Sequence, residues 1–229
     1  MSTFCLLHGN WHDGSCWDPL IVRLRARGHR AVAPDLPFDD ARATYEDRAR
    51  PALDALEGLD GPIVVVGHSV ASAEAALVSA KTQPALLVYL CSRFGSYPVP
   101  PDAPAIFRAG FPFPAKDDAG RMVWEPRAAI GAMYSRLEPV VGRELAKRLR
   151  PGAAPVGDYP LADHPDVPTA LIYAADDEFF EPAWERYVAQ ELLHIEPIEI
   201  PGGHFPMLED SDGLADLLNS LATASQHQR

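Results

Sequence analysis

Ser69 ends a β-branched run, Ile63-Val64-Val65-Val66-Gly67-His68, and opens the alanine-rich stretch Val70-Ala71-Ser72-Ala73-Glu74-Ala75-Ala76-Leu77. A serine hydroxyl is a weak nucleophile until a neighbouring base takes its proton, and a strand-to-helix reversal projects such a hydroxyl above a sheet edge. Gly67 suits the reversal because a larger side chain would meet the neighbouring backbone. The amide of Val70, at the helix start, points to where an oxyanion would form. Taken alone, Gly-x-Ser-x-Ala is equally the pattern of a buried turn serine, and Ala71 stands where a second glycine would complete the motif.

The partners are sought at other strand ends. Pro201-Gly202-Gly203-His204 follows the apolar run Ile198-Glu199-Ile200, so His204 sits on a glycine-rich turn and is the expected base; His12 is its rival near the site mouth. After Thr169-Ala170-Leu171-Ile172-Tyr173-Ala174 comes Ala175-Asp176-Asp177-Glu178, three acids on one loop able to fix an imidazole tautomer. Spacing favours Asp177, three residues past the strand, with Asp176 as the alternative. The chain order Ser, Asp, His is that of one class of serine hydrolase. Asn10, after His8-Gly9, is the expected second oxyanion donor, and His8 reads as a core histidine bonded to loop backbone. Residues expected to meet a substrate are Trp11, His68, Arg93, Phe94, Trp124, Tyr134 and Phe205. For Arg93 the alternatives are an anionic substrate group or, more commonly, a surface salt bridge. No histidine pair has metal-ligand spacing with a carboxylate, and no metal or cofactor is called for.

These residues need a frame. Short apolar runs at Thr3 to Leu7, Arg30 to Ala33, Ile63 to Val66, Leu86 to Leu90, Thr169 to Ala174 and Glu196 to Ile200 alternate with amphipathic stretches, which predicts an α/β fold with a six-stranded parallel sheet and helices on both faces. Trp17 to Arg27 reads as a helix stopped by Gly28. Thr44 with Asp47 reads as the N-cap of a second helix that Pro51 should kink or shorten. Pro98, Pro100, Pro101, Pro104, Pro112 and Pro114, set among Phe94, Tyr97, Phe107, Phe111 and Phe113, forbid continuous helix. Helical spacing returns from Arg127 to Leu149. The stretch 94–165 is too long for an ordinary crossover and reads as a lid inserted into a single domain spanning 1–229, over an apolar pocket. The tail from Ala222 to Arg229 is expected to fray.

The chain has 229 residues, enough for one sizeable core. Its 32 acidic against 20 basic side chains give a net charge of −12, which repels phosphate backbones and anionic membranes and leaves a small molecule as the expected partner. No apolar run is long enough to span a bilayer, and the N-terminus lacks the basic segment of a secretory signal. With three cysteines and no Cys-x-x-Cys spacing, reduced thiols in the cytoplasm are expected. Monomer and homodimer are both left open.

Leu7-His8-Gly9-Asn10-Trp11-His12-Asp13-Gly14-Ser15-Cys16-Trp17, Ala33-Pro34-Asp35-Leu36-Pro37 and Pro201-Gly202-Gly203-His204 resemble the α/β-hydrolases, in particular the compact branch with plant methylesterases, salicylate-binding esterases and hydroxynitrile lyases. The likeness runs along essentially the whole chain, and Ala71 and the insertion are its departures. It implies a serine hydrolase acting on a small ester, thioester or lactone through an acyl-enzyme. The lyase alternative is weakened because hydroxynitrile lyases have threonine at the position of Gly9 and lysine at that of Phe205. A non-hydrolytic binding or biosynthetic member of the fold is the third reading.

Overall fold

Strands covered on both faces need apolar residues at every position, and the inner strands here have them. The computed structural model describes residues 1–94 and 99–227. β1 (Thr3–Leu7), β3 (Ile63–His68), β4 (Leu86–Leu90) and β7 (Thr169–Ala174) are buried along nearly their whole length. The shorter β2 (Arg30–Val32) and β8 (Ile198–Ile200) close the edges. All pairings are parallel, in the order β2-β1-β3-β4-β7-β8.

Alternate side chains feed two cores. Phe4 and Leu6 of β1 pack with Trp17, Leu20, Leu214 and Leu218, beneath α1 (Asp18–Ala26) and α8 (Ser211–His227). Cys5 and Leu7 pack with Ala49, Ala52, Ala75 and Trp184, beneath α2 (Tyr45–Leu56), α3 (Ser72–Thr82) and α6 (Pro182–Tyr187). Helix α2 is opened by a reciprocal cap in which the Asp47 amide donates to Thr44 Oγ1 (3.1 Å) and the Thr44 amide to Asp47 Oδ2 (2.9 Å). It continues past Pro51 to Leu56, held on both sides of the proline by buried Ala49, Ala52 and Leu56.

Three local expectations are corrected. Arg127 to Leu149 forms two helices, α4 (Pro126–Met133) and α5 (Pro139–Ala146), because Pro139 starts a new helix at a position where no amide is needed. The tail does not fray at Ala222: α8 runs to His227, with Ala222 and Ser225 buried and Gln226 bonded to Ser2. β3 extends two residues further, to His68, than its apolar run suggested. Between β4 and β7 the chain also forms a small hairpin of β5 (Ala115–Lys116) and β6 (Met122–Val123). Tyr97 and Pro98 lie outside the described residues.

In a parallel sheet all strands deliver their next residue to one rim. The strand order sets Gly9 and Asn10, after β1, beside Ser69, after β3, and sets Asp177, after β7, beside His204, after β8. Four segments distant in sequence thus converge on one edge.

Candidate active site

Ser69 adopts φ +58°, a left-handed conformation unusual for a residue with a side chain, at the junction of β3 with a 3₁₀ turn (Ser69–Ala71) that leads into α3. A Cβ on Gly67 would lie 2.5 Å from the Ala75 Cβ and 2.9 Å from the Ala71 carbonyl oxygen, so glycine is what lets strand and helix meet. Ala71 itself is fully buried and packs in the core beneath α3. The methyl is accommodated there and the turn persists. Gly67→Ala is expected to overpack this contact and cost about 1–3 kcal/mol, seen as a fall in Tm of about 2–4 °C per kcal/mol in a thermal melt; an unchanged Tm would contradict the close approach.

A Cβ on Gly9 would lie 2.9 Å from the Ser69 Cβ, which brings the loop after β1 against the Ser69 turn. Asn10 and Val70 both line the cavity at Ser69. The Val70 amide belongs to the opening of the 3₁₀ turn, where N–H groups have no partner inside the helix.

The His204 imidazole is 1% exposed and donates from Nδ1 to Asp177 Oδ2 at 2.8 Å. Asp177 is held in turn by the amides of Phe179 (2.7 Å) and Phe180 (3.0 Å), both donating to Oδ1. The Phe179 ring stacks on the imidazole with centroids 4.2 Å apart and planes 17° apart. The other two acids are committed elsewhere, Asp176 to Arg136 at 2.9 Å and Glu178 to Arg136 at 3.1 Å. Nε2 is therefore the ring nitrogen left to exchange a proton. Among the described residues the Ser69 hydroxyl makes no hydrogen bond, so the link from Oγ to the imidazole is open in this structure.

A cavity of about 310 Å³ opens over Ser69. Trp11, Val70, Arg93, Met122 and the rings of Phe107, Phe111, Phe113, Phe179 and Phe180 give it a mainly apolar wall. Of the residues expected to meet a substrate, Trp11 and Arg93 line this cavity, and no ion pair occupies Arg93 among the described residues. Five other expected contacts do not line the cavity. His68 is buried behind Ser69, its Nε2 donating to the His204 carbonyl oxygen at 2.8 Å, so it ties the serine turn to the histidine loop. Phe94 packs in the core against Tyr89 and His164. Trp124 packs edge-on against Trp11 and Phe111. Tyr134 donates its hydroxyl to His12 Nε2 at 2.8 Å, and Phe205 lies among His12, His68 and Tyr134.

His8 and His12 are likewise structural. His8 Nδ1 donates to the Gly9 carbonyl and Nε2 accepts from the Leu36 amide, both at 2.9 Å; His12 Nδ1 donates to the Asn10 carbonyl at 3.0 Å. Burial pulls each of them from 6.5 to about 4, and His68 well below its usual range. A histidine buried neutral resists protonation that the unfolded chain accepts, so its contribution to stability is present above pH 6.5 and is lost as pH falls toward 4. Relative to His12→Gln, the wild type is expected to lose about 1.4 kcal/mol per pH unit across that window, read by urea unfolding at several pH values. Parallel curves would refute it.

Cys91 Sγ, an Asp177 oxygen and a His204 nitrogen lie within 4.8 Å of one another. The carboxylate and imidazole are already paired, and burial holds the thiol well above its usual range and so protonated. That donor set does not fit a metal.

Sequence reasoning missed Arg48 and Glu74, which line the cavity although both are almost fully buried. Burial pushes the Glu74 carboxyl up to about 7, with the Arg48 guanidinium drawing it partly back.

The model of the "Alpha/beta hydrolase family" matches residues 6–217. The chain belongs to that family. Among curated members, a pyrethroid hydrolase of Sphingobium wenxiniae is 26% identical over 98% of this chain and 89% of its own length. A carbendazim hydrolyzing esterase of Nocardioides is also 26% identical, over 96% of this chain and 100% of its own. Esterase PIR7B of Oryza sativa subsp. japonica is 40% identical, but the match spans only 29% of this chain and 28% of the rice protein. Among solved α/β-hydrolase structures, a pyrethroid hydrolase superposes with TM-score 0.80 at 20% identity, covering 99% of both chains. Polyneuridine aldehyde esterase superposes with TM-score 0.75 at 20% identity, covering 97% of this chain and 99% of its own.

Proposed function

We propose that the protein is a serine hydrolase that cleaves a small, largely apolar carboxylic ester, thioester or lactone through an acyl-enzyme on Ser69. The observation that carries this reading is Ser69 in its left-handed turn on the wall of an apolar cavity, with the buried His204–Asp177 pair on the same sheet rim. The hydrolase and esterase names of the two relatives that cover the chain almost end to end support it.

In this mechanism Ser69 Oγ turns toward His204 Nε2 as substrate binds; catalytic hydrogen bonds often tighten only in the Michaelis complex. Oγ attacks the carbonyl carbon and its proton passes to Nε2. The amides of Asn10 and Val70 hold the oxyanion, and Asp177 stabilises the imidazolium without taking its proton. Nε2–H then protonates the leaving oxygen or sulfur as the acyl bond to it breaks. Water, deprotonated by the same nitrogen, releases the acid and restores Ser69. His68 positions the histidine loop in this cycle. The segment 94–165 serves as the lid, gripping the acid loop through Arg108, whose amide donates to the Phe179 carbonyl and whose Nε donates to that of Asp177, both at 2.8 Å.

The lyase alternative is disfavoured. A side chain at Gly9 would press on Ser69, and Phe205, where a lysine would meet a leaving cyanide, is buried among rings.

Labelling with a fluorophosphonate, followed by peptide mass mapping, tests the reading: one adduct on Ser69 is expected, and none would remove the covalent mechanism. A panel of p-nitrophenyl esters of graded chain length, beside a thioester and a lactone, then sorts the substrate class. A cytoplasmic setting and a small-molecule partner, with no nucleic acid or membrane, are part of the same reading. The net charge of −12 and three unbridged, buried cysteines support these. No helix of the described residues is long and apolar enough to cross a membrane.

A further inference from the structure

Glu74 and Arg48 are an unusual pair to find on the wall of a mainly apolar cavity. Glu74 lies in the first turn of α3, one residue beyond Ala73, which also lines the cavity. Arg48 comes from α2 and is 2% exposed; one terminal nitrogen donates to the Ala153 carbonyl at 3.0 Å, and its guanidinium carbon lies 4.9 Å from the Phe38 ring centroid. Each retains an unsatisfied atom. Glu74 Oε2 accepts no hydrogen bond and Arg48 Nε donates none. The two side chains are near enough to influence each other, yet no ion pair within 4.0 Å joins them among the described residues. Burying a donor and an acceptor without partners is costly, and a fully packed core would have joined them or replaced them with apolar groups.

The position of this pair relative to the reacting atoms follows from the proposed hydrolysis, on which the inference rests. His204 delivers its proton to the leaving oxygen, so the alcohol arm lies on the side of Phe179, whose ring stacks on His204 and joins the cluster of Phe107, Phe111, Phe113 and Phe180. The acyl arm is left with the rest of the lining, which includes Glu74 of α3 and Arg48 of α2. We infer that Glu74 and Arg48 form a polar subsite for the acyl arm, selecting esters whose acyl chain ends in a neutral group that donates to the carboxylate and accepts from the guanidinium, such as a primary amide. A neutral group with both functions satisfies Oε2 and Nε together. A carboxylate would face Glu74, and an ammonium would face Arg48.

The test compares p-nitrophenyl glutaramate, whose acyl chain ends in a primary amide, with the ester in which an isopropyl group replaces that amide, after subtraction of buffer hydrolysis. Wild-type kcat/KM is expected to favour the amide by about ten- to a hundred-fold. Glu74→Leu should reduce that ratio at least ten-fold, whereas Glu74→Gln, which keeps an acceptor oxygen, should hold it within about three-fold. Equal use of the two esters by the wild type, or an unchanged ratio in Glu74→Leu, would overturn the inference while leaving hydrolysis intact. Titration calorimetry with the corresponding unreactive ethers repeats the comparison without turnover. A matching ratio of Kd values supports the subsite even if esters are not the substrate, and equal values overturn it.

Discussion

Ser69→Ala is expected to lower kcat for p-nitrophenyl butyrate by about 10⁴–10⁶-fold while leaving the fold unchanged. Alanine removes only Oγ, which carries no hydrogen bond among the described residues, and it keeps the Cβ that meets Gly9. Tm should therefore stay close to that of the wild type. Residual turnover reflects the oxyanion site and binding, which the substitution spares. Ester turnover persisting at the wild-type rate, with a fluorophosphonate adduct elsewhere on the chain, would show that another residue is the nucleophile.

The second large effect is expected at Asp177. In Asp177→Asn the side-chain oxygen still accepts from the amides of Phe179 and Phe180, and the new NH₂ faces His204 Nδ1 in place of Oδ2. The imidazole is forced to carry its proton on Nε2, so it cannot accept one from Ser69. The loss in kcat is about 10⁴-fold, with little change in KM or in Tm because the loop keeps its shape. Asp176→Asn, by contrast, removes only a surface ion pair with Arg136, worth at most about 1 kcal/mol, and should leave turnover near that of the wild type. Comparable losses in the two variants would mean that Asp177 is not the group orienting the imidazole.

Much of this arrangement is legible from residue order alone. The inner strands announce themselves because burial on both faces demands uninterrupted aliphatic runs, and the glycines beside Ser69 and His204 mark where the chain must turn sharply. Asp177 is separable from Asp176 and Glu178 by its distance from the end of β7. Residue type, however, does not tell which side of a loop an aromatic ring faces. Trp124, Tyr134, Phe94 and Phe205 have the same composition as a cavity wall and instead fill the packing behind it, while Phe107, Phe111 and Phe113 do line it. His68 directly precedes Ser69 in sequence, but it is the last residue of β3 while Ser69 opens the turn in a left-handed conformation, and the His68 ring bonds the histidine loop instead. Arg48 and Glu74 are hidden for another reason. Charged residues on amphipathic helices ordinarily face water, and only the packing of α2 against α3 reveals that these two face inward.

The hold of Arg108 on the carbonyls of Phe179 and Asp177, together with the Glu181 amide donating to the Ile106 carbonyl at 3.0 Å, ties the proposed lid to the loop that carries the proposed proton relay. Exchanging that segment for one from a relative, in order to change which molecules the enzyme accepts, would also exchange the brace beneath its carboxylate. A working chimera must carry an arginine at the equivalent point, or turnover will collapse for reasons unrelated to the shape of the chamber.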